Sequence, residues 1–168
     1  LMNLTERDQK NIWHPYTQHK TSKPPIAIVK GEGALLWDEN GKEYIDAIAS
    51  WWVNPFGHSN QVIADAIYKQ LTTLEHVLFG GFTHNKAVEL SEKLMEILPS
   101  NQKKIFYSDN GSTAVEIAIK SALQYNYNKG IKKLKIIAFE DAFHGDTFGA
   151  MAASGITFFT EAFKGSLL

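Results

Sequence analysis

The chain of 168 residues contains no cysteine. Disulfides, thiolate zinc sites and cysteine nucleophiles are thereby excluded together, and a reducing compartment is compatible with the composition. Arginine is nearly absent as well, since Arg7 is the only one and lysine supplies the rest of the basic charge. With so few guanidinium forks, an anion held here would rely on backbone N–H groups and hydroxyls, or on arginines elsewhere. The formal net charge is only -1, with acidic and basic residues intermixed, so no electrostatic footprint for nucleic acid or anionic lipid is expected. No apolar run approaches the ~20 residues of a membrane span, and no basic-then-apolar leader is visible, which makes the cytoplasm the default location. The sequons at Asn3 and Asn110 are then chance matches.

Several chemistries are also missing at the level of motifs. The six histidines show no metal-ligand spacing, so no metal site is expected. No Gly-x-Ser-x-Gly elbow occurs, no Gly-Lys-Ser/Thr closes a Walker loop, and the Gly31-Glu32-Gly33 stretch lacks the third glycine of a dinucleotide fingerprint.

What is present is an ordinary globular composition, 44% hydrophobic and 21% charged, too apolar for disorder. Residues 1–25 are polar with isolated aromatics and end in a Pro24-Pro25 pair that favours an extended connection. The stretch from Ile26 to Ser50 alternates apolar runs with Gly-Glu-Gly and Glu-Asn-Gly-Lys, the pattern of a β meander. From Asn60 to about Glu75, Val62, Ile63, Ala66, Ile67 and Leu71 recur at helical spacing behind a Ser-Asn cap, and a second helix runs up to Pro99. Beyond it come a short β run ending near Ser108, a helix with Glu116 and Lys120 at i,i+4 and Gly130 as terminator, and a further β run from Lys133 to Asp141. Helices alternating with apolar strands point to a layered α/β fold.

The corner Ser108-Asp109-Asn110-Gly111-Ser112-Thr113 admits two readings. It is the commoner turn and cap, with Asp109 or Asn110 starting the turn and Ser112 or Thr113 capping the helix. Equally, a helix N-terminus carries unpaired N–H groups and about half a positive charge, which suits a phosphate approaching Gly111. Phe143, His144 and Asp146 follow the last β run, where open α/β sheets bind ligands, and a ring could stack on Phe143. Trp13, His14 and Tyr16, then Trp51, Trp52, Phe56 and His58, form two aromatic clusters for core or pocket. Trp51 and Trp52, adjacent in a strand-like run, are expected on opposite faces.

The ordered set Trp-His-Pro-Tyr-Thr, Ala-Ser-Trp-Trp, Phe-Gly-Gly-Phe-Thr-His, Ser-Asp-Asn-Gly-Ser-Thr-Ala-Val-Glu and Phe-His-Gly-Asp-Thr-Phe-Gly-Ala-Met spans Trp13 to Met151. It resembles the start of a class III aminotransferase dependent on pyridoxal 5'-phosphate, and within that family the members that transaminate 8-amino-7-oxononanoate to 7,8-diaminononanoate in biotin biosynthesis. The resemblance implies a fold type I transferase of α/β class, with residues 1–58 contributing an N-terminal segment to the small domain and pocket. Residues 59–168 would then be the first part of the large cofactor-binding domain. It implies that Gly111 and Ser112 contact the cofactor phosphate and that Phe143 stacks on the ring, where Tyr is commoner. Tyr16 and Trp51 would shape the substrate pocket, with Trp52 a further pocket residue and His144 and Asp146 in the same matched stretch as Phe143. S-adenosylmethionine is the amino donor the family usually takes, with lysine used by some relatives, and a homodimer is implied, with Gly80 and Gly81 near its boundary.

Family members are much longer, and their cofactor-bearing lysine, ring-nitrogen aspartate and carboxylate-binding arginine fall downstream of the positions matched here. No catalytic residue is therefore expected in this chain, which resembles an inactive N-terminal fragment whose parallel sheet is incomplete. The alternatives are a class III aminotransferase for another amino acid or a diamine, and a non-catalytic module that keeps a phosphate seat.

Overall fold

Asn3 opens the first element. Its side chain accepts the Glu6 N–H at 2.8 Å while its own N–H donates to the Glu6 carboxylate at 3.0 Å, a capping box that starts α1 (Leu4–Asn11). The polar first residues, for which the sequence offers no element, are thus helical, because Asn-x-x-Glu satisfies two orphan donors even on a polar helix. The computed structural model describes residues 2–132 and 135–167, in two units, Leu1–His84 and Asn85–Leu168.

In the first unit the β meander forms as expected. Strands β1 (Ile28–Glu32), β2 (Leu35–Asp38) and β3 (Glu43–Ile45) make an antiparallel sheet in that order, with Glu32 opposite Leu35 and Trp37 opposite Glu43. The β2–β3 turn is built around Asp38, whose carboxylate accepts the Asn40 and Lys42 N–H groups and the Tyr44 hydroxyl at 2.9 to 3.0 Å. Burial works to raise the Asp38 pKa, but these donors outweigh it and hold the carboxyl below its ordinary range.

After β3 the chain departs from expectation. Ala49, Ser50, Trp51 and Trp52 have φ of 47, 47, 64 and 68° and form the short turn α2 (Ala49–Trp52), which is left-handed. The two tryptophans are therefore not on opposite faces of a strand. A left-handed residue other than glycine costs roughly 1–2 kcal/mol, so this turn exists only because contacts around it hold it. Helix α3 (Gln61–Leu71) follows, capped by Asn60, whose side chain accepts the Ile63 N–H at 3.2 Å.

The second unit begins with α4 (Asn85–Ile97), which ends before Pro99. Tyr107 anchors the next segment to it, its hydroxyl lying 2.8 Å from Ser91 Oγ and donating to the Ala87 carbonyl at 3.1 Å. Then come α5 (Gly111–Asn128), ended by Gly130 at φ 67°, and α6 (Phe148–Ala152), α7 (Thr157–Thr160) and a single 3-10 turn at Glu161–Phe163. Helix α6 packs on α5, and there Ala150 and Met151 are the buried apolar residues among those described.

Neither β run expected in this unit forms a strand. Residues 103–108, and the described part of the run from Lys133 to Asp141, lack ladder partners, while Lys133 and Leu134 lie outside the described residues. A strand is made by its neighbour, and none of the described segments pairs with these two in a ladder. Phe106 is accordingly 78% exposed and Ile137 97%. The parallel sheet expected of the layered fold is thus not formed among the described residues, where the three antiparallel strands are the whole sheet.

Candidate cofactor and substrate site

The corner before α5 is fixed first by its own side chains. Asn110 is the N-cap: its side chain accepts the Thr113 N–H at 3.0 Å, and its N–H donates to Thr113 Oγ1 at 3.3 Å. Thr113 Oγ1 in turn donates to Asp109 at 2.6 Å, and the Asn110 amide does so at 3.0 Å. The Thr113 hydroxyl, ahead of the corner's N–H groups, lowers the Asp109 pKa. So the cap is Asn110, with Thr113 completing it, and not Ser112.

Ser112 is left for another task. Its Oγ accepts the Asp146 N–H at 3.1 Å, across 34 residues of sequence. An acceptor engaged in this way still has its own proton to donate. Gly145, at φ 135°, makes the approach possible, because a Cβ there would lie 2.6 Å from the Ser112 Cβ and 2.7 Å from its Cα. The Gly111 and Ser112 N–H groups, the first two of α5, have no acceptor among the described residues, and nothing stands within 4 Å of where a Gly111 Cβ would be. Two free N–H groups, one hydroxyl proton and open space at the head of a long helix match the requirements of a phosphate dianion.

A second tie joins α5 to the same loop. The Glu116 carboxylate turns to α6, where it accepts the Gly149 N–H at 2.7 Å, rather than pairing with Lys120 as the i,i+4 spacing suggested. The neighbouring Thr147 hydroxyl, then the Gly149 and Ala150 N–H groups, hold its carboxyl below the usual range. Thr147 Oγ1 is buried and out of ordinary hydrogen-bond geometry, yet close enough to stabilise that charge.

Phe143 lies in this loop, 50% exposed, its ring edge-on to Phe159 at 5.8 Å between centroids. Half of its surface is therefore left outside the core. The His144 N–H is tied to Ser154 Oγ at 3.0 Å, and Asp146 contributes its backbone to Ser112. In the first unit, Tyr16 and Trp51 are brought together, rings 5.5 Å apart and inclined at 31°, while Trp52 is 79% exposed. Tyr16 itself sits at φ 55°.

The Aminotransferase class-III family model matches residues 16–167. The chain belongs to the class III aminotransferases. It is 47% identical over 154 residues to the adenosylmethionine-8-amino-7-oxononanoate aminotransferase of Synechococcus elongatus, an alignment covering 92% of this chain and 36% of that protein. The crystal structure of the enzyme of the same name from Methanocaldococcus jannaschii superposes with a TM-score of 0.92 at 42% identity, over 98% of this chain and 38% of that one. The omega transaminase from Pseudomonas jessenii, solved in complex with PMP, gives 0.89 at 32% identity, over 97% of this chain and 37% of that one. The fold is therefore that of the pyridoxal-phosphate-dependent transaminases, as the motifs implied, and the chain spans little more than a third of the length of the relatives it matches.

Three structural roles are not legible in the sequence: Asn110 as the cap, Glu116 as the tie to α6, and Asp46, whose carboxylate accepts the Ser50 N–H at 2.9 Å, as the anchor of the left-handed turn. Only Asn110 carries a local signal, as a turn former. The others act through contacts that are distant in sequence or bend a helical side chain away from its expected partner.

Proposed function

We propose that this chain supplies the cofactor-phosphate seat and part of the substrate wall of an aminotransferase that converts 8-amino-7-oxononanoate to 7,8-diaminononanoate, using pyridoxal 5'-phosphate and S-adenosylmethionine as amino donor. The observation that carries the reading is the head of α5, where the Gly111 and Ser112 N–H groups have no acceptor among the described residues, the Asp146 N–H aims the Ser112 hydroxyl, and the space beside Gly111 is open. It is supported by membership of class III and by 47% identity to an enzyme named for that substrate pair.

In this reading Gly111 and Ser112 bind the phosphate, their N–H groups and hydroxyl donating to its oxygens, and the dipole of α5 favours its charge without any arginine. Asp146 orients Ser112 through its N–H, and Phe143 offers a ring face to the pyridine. Tyr16 and Trp51 bind and orient the amino-oxononanoate, with Trp52 beside them. When bound, pyridoxal phosphate supplies an electron sink for the carbanion created by proton removal. The proton itself is moved by a lysine that this chain does not place. The enzyme would act as a cytoplasmic homodimer, with residues 1–58 serving the small domain and 59–168 the cofactor domain.

The full-length gene product, purified and supplied with pyridoxal phosphate, tests this directly. Cofactor absorbance together with formation of 7,8-diaminononanoate from S-adenosylmethionine is the expected result. Cofactor absorbance with turnover only of other amino acids or diamines would move the activity to another class III reaction, and its absence would leave a phosphate-binding module.

A further inference from the structure

One carboxylate holds the left-handed turn that carries the double tryptophan. Asp46 Oδ1 accepts the Ser50 N–H at 2.9 Å, and Asp46 Oδ2 accepts both Ser50 Oγ and His58 Nε2 at 2.7 Å. The turn is thus gripped at its second residue by backbone and side chain together. Trp52 N–H closes it by donating to the Ile48 carbonyl at 2.8 Å.

His58 is in turn built into the sheet. Its N–H donates to the Gly33 carbonyl at 2.8 Å and its carbonyl accepts the Gly33 N–H at 3.1 Å. Its ring packs over Gly31 so closely that a Cβ there would lie 2.9 Å from the His58 Cβ and Cγ. With Nε2 donating to Asp46, Nδ1 is left to accept from the Asn54 amide, 3.5 Å away. A continuous set of contacts therefore runs from β1 through His58, Asp46 and Ser50 to Trp51, whose ring meets Tyr16 at 5.5 Å. Nothing in Ala-Ser-Trp-Trp favours positive φ, so the orientation of Trp51 is imposed from outside the turn.

We propose that Asp46, Ser50 and His58 are positioning residues that fix Trp51 against Tyr16 and thereby set how the amino-acceptor substrate is recognised. The proposal rests on the reading that Tyr16 and Trp51 face that substrate. None of the three touches cofactor or reacting atoms; they act by holding a strained backbone in one state.

The experiment uses the full-length gene product with pyridoxal phosphate and three variants, His58→Ala, His58→Gln and Ser50→Ala. His58→Ala is expected to raise KM for 8-amino-7-oxononanoate about tenfold, the sign of lost binding shared by ground and transition state. Its kcat and cofactor absorbance should stay near wild type, and His58→Gln, which keeps an N–H donor of similar reach, should restore KM. Ser50→Ala removes one contact and should raise KM less, which keeps the test open if His58→Ala does not fold. A KM unchanged in both alanine variants, or a loss confined to kcat, overturns the proposal. A readout free of turnover separates it from the functional reading: the Trp51-dependent part of the near-ultraviolet circular dichroism, defined by Trp51→Phe, should collapse in His58→Ala. If it persists the clamp is refuted. If it collapses in a protein that never accepts 8-amino-7-oxononanoate, the clamp stands and only the substrate is wrong.

Discussion

Gly145 packs against Ser112 with no room for a side chain between them: a Cβ at position 145 would stand 2.7 Å from the Ser112 Cα. That contact lets the Asp146 N–H reach Ser112 Oγ at 3.1 Å. Gly145→Ala is therefore expected to push the loop off α5, through overpacking of roughly 1–3 kcal/mol and an unfavourable φ of 135°. Weaker pyridoxal-phosphate affinity by equilibrium dialysis, together with a lowered Tm, is the expected pair of results. Gly165→Ala, where nothing stands within 4 Å, is the control and should change neither.

Ser112 and Gly111 separate ligand binding from folding. Ser112→Ala removes one donor to a charged phosphate and should weaken cofactor binding by about 1–2 kcal/mol. Gly111→Ala meets open space, so Tm should hold or rise slightly through the better helix propensity of alanine, while cofactor affinity falls because the backbone can no longer be approached closely. Unchanged affinity in both variants by isothermal calorimetry would remove the phosphate from this corner.

Asn110→Ala tests the cap independently of any ligand. Loss of the side-chain acceptor for the Thr113 N–H should destabilise the protein by about 1 kcal/mol in urea unfolding. Asn110→Asp keeps the acceptor but replaces the amide donor to Asp109 by a second carboxylate, so it should recover only part of that stability, and the added negative charge beside the seat should lower phosphate affinity.

These results bear on what could be seen from sequence. Helices α3, α4 and α5 were visible because apolar spacing, the Asn60 cap, Pro99 and Gly130 all act within a turn or two of the residues they govern. The phosphate corner was legible as a helix start rich in donors, but its division of labour was not. Asn110 caps through the nearby Thr113 N–H, whereas the hold on Ser112 Oγ comes from the Asp146 N–H, 34 residues away. Their size and aromaticity mark Trp51 and Trp52 as pocket residues, but their backbone is not legible locally, since the tryptophans favour a strand and the left-handed state comes from Asp46 and His58. The two missing strands failed for the complementary reason: their apolar pattern is intrinsic, but a ladder is a property of a pair.

Asp46 gives a pH dependence whose sign can be worked out. The Ser50 N–H, then the Ser50 hydroxyl and His58, depress its pKa from 3.8 to about 2. A carboxyl depressed on folding contributes stability that is complete above its unfolded pKa and is lost as pH falls through the folded one. The Trp51-dependent dichroism should thus hold down to about pH 4 and fade toward about pH 2. In Asp46→Asn that step should vanish. A midpoint near the ordinary carboxylate value in the unmutated protein would show that Ser50 and His58 do not engage Asp46 in solution.

Ile136, Ile137 and Phe139 expose their side chains with no strand beside them, in a stretch without proline or glycine. Such a window is a template for backbone pairing between copies. Together with other exposed apolar side chains such as Phe106 and Phe158, this stretch will weigh on the colloidal behaviour of the chain in the test tube more than a net charge of -1 does. A lysine placed at Ile137 should extend the working concentration range of the preparation before any buffer does.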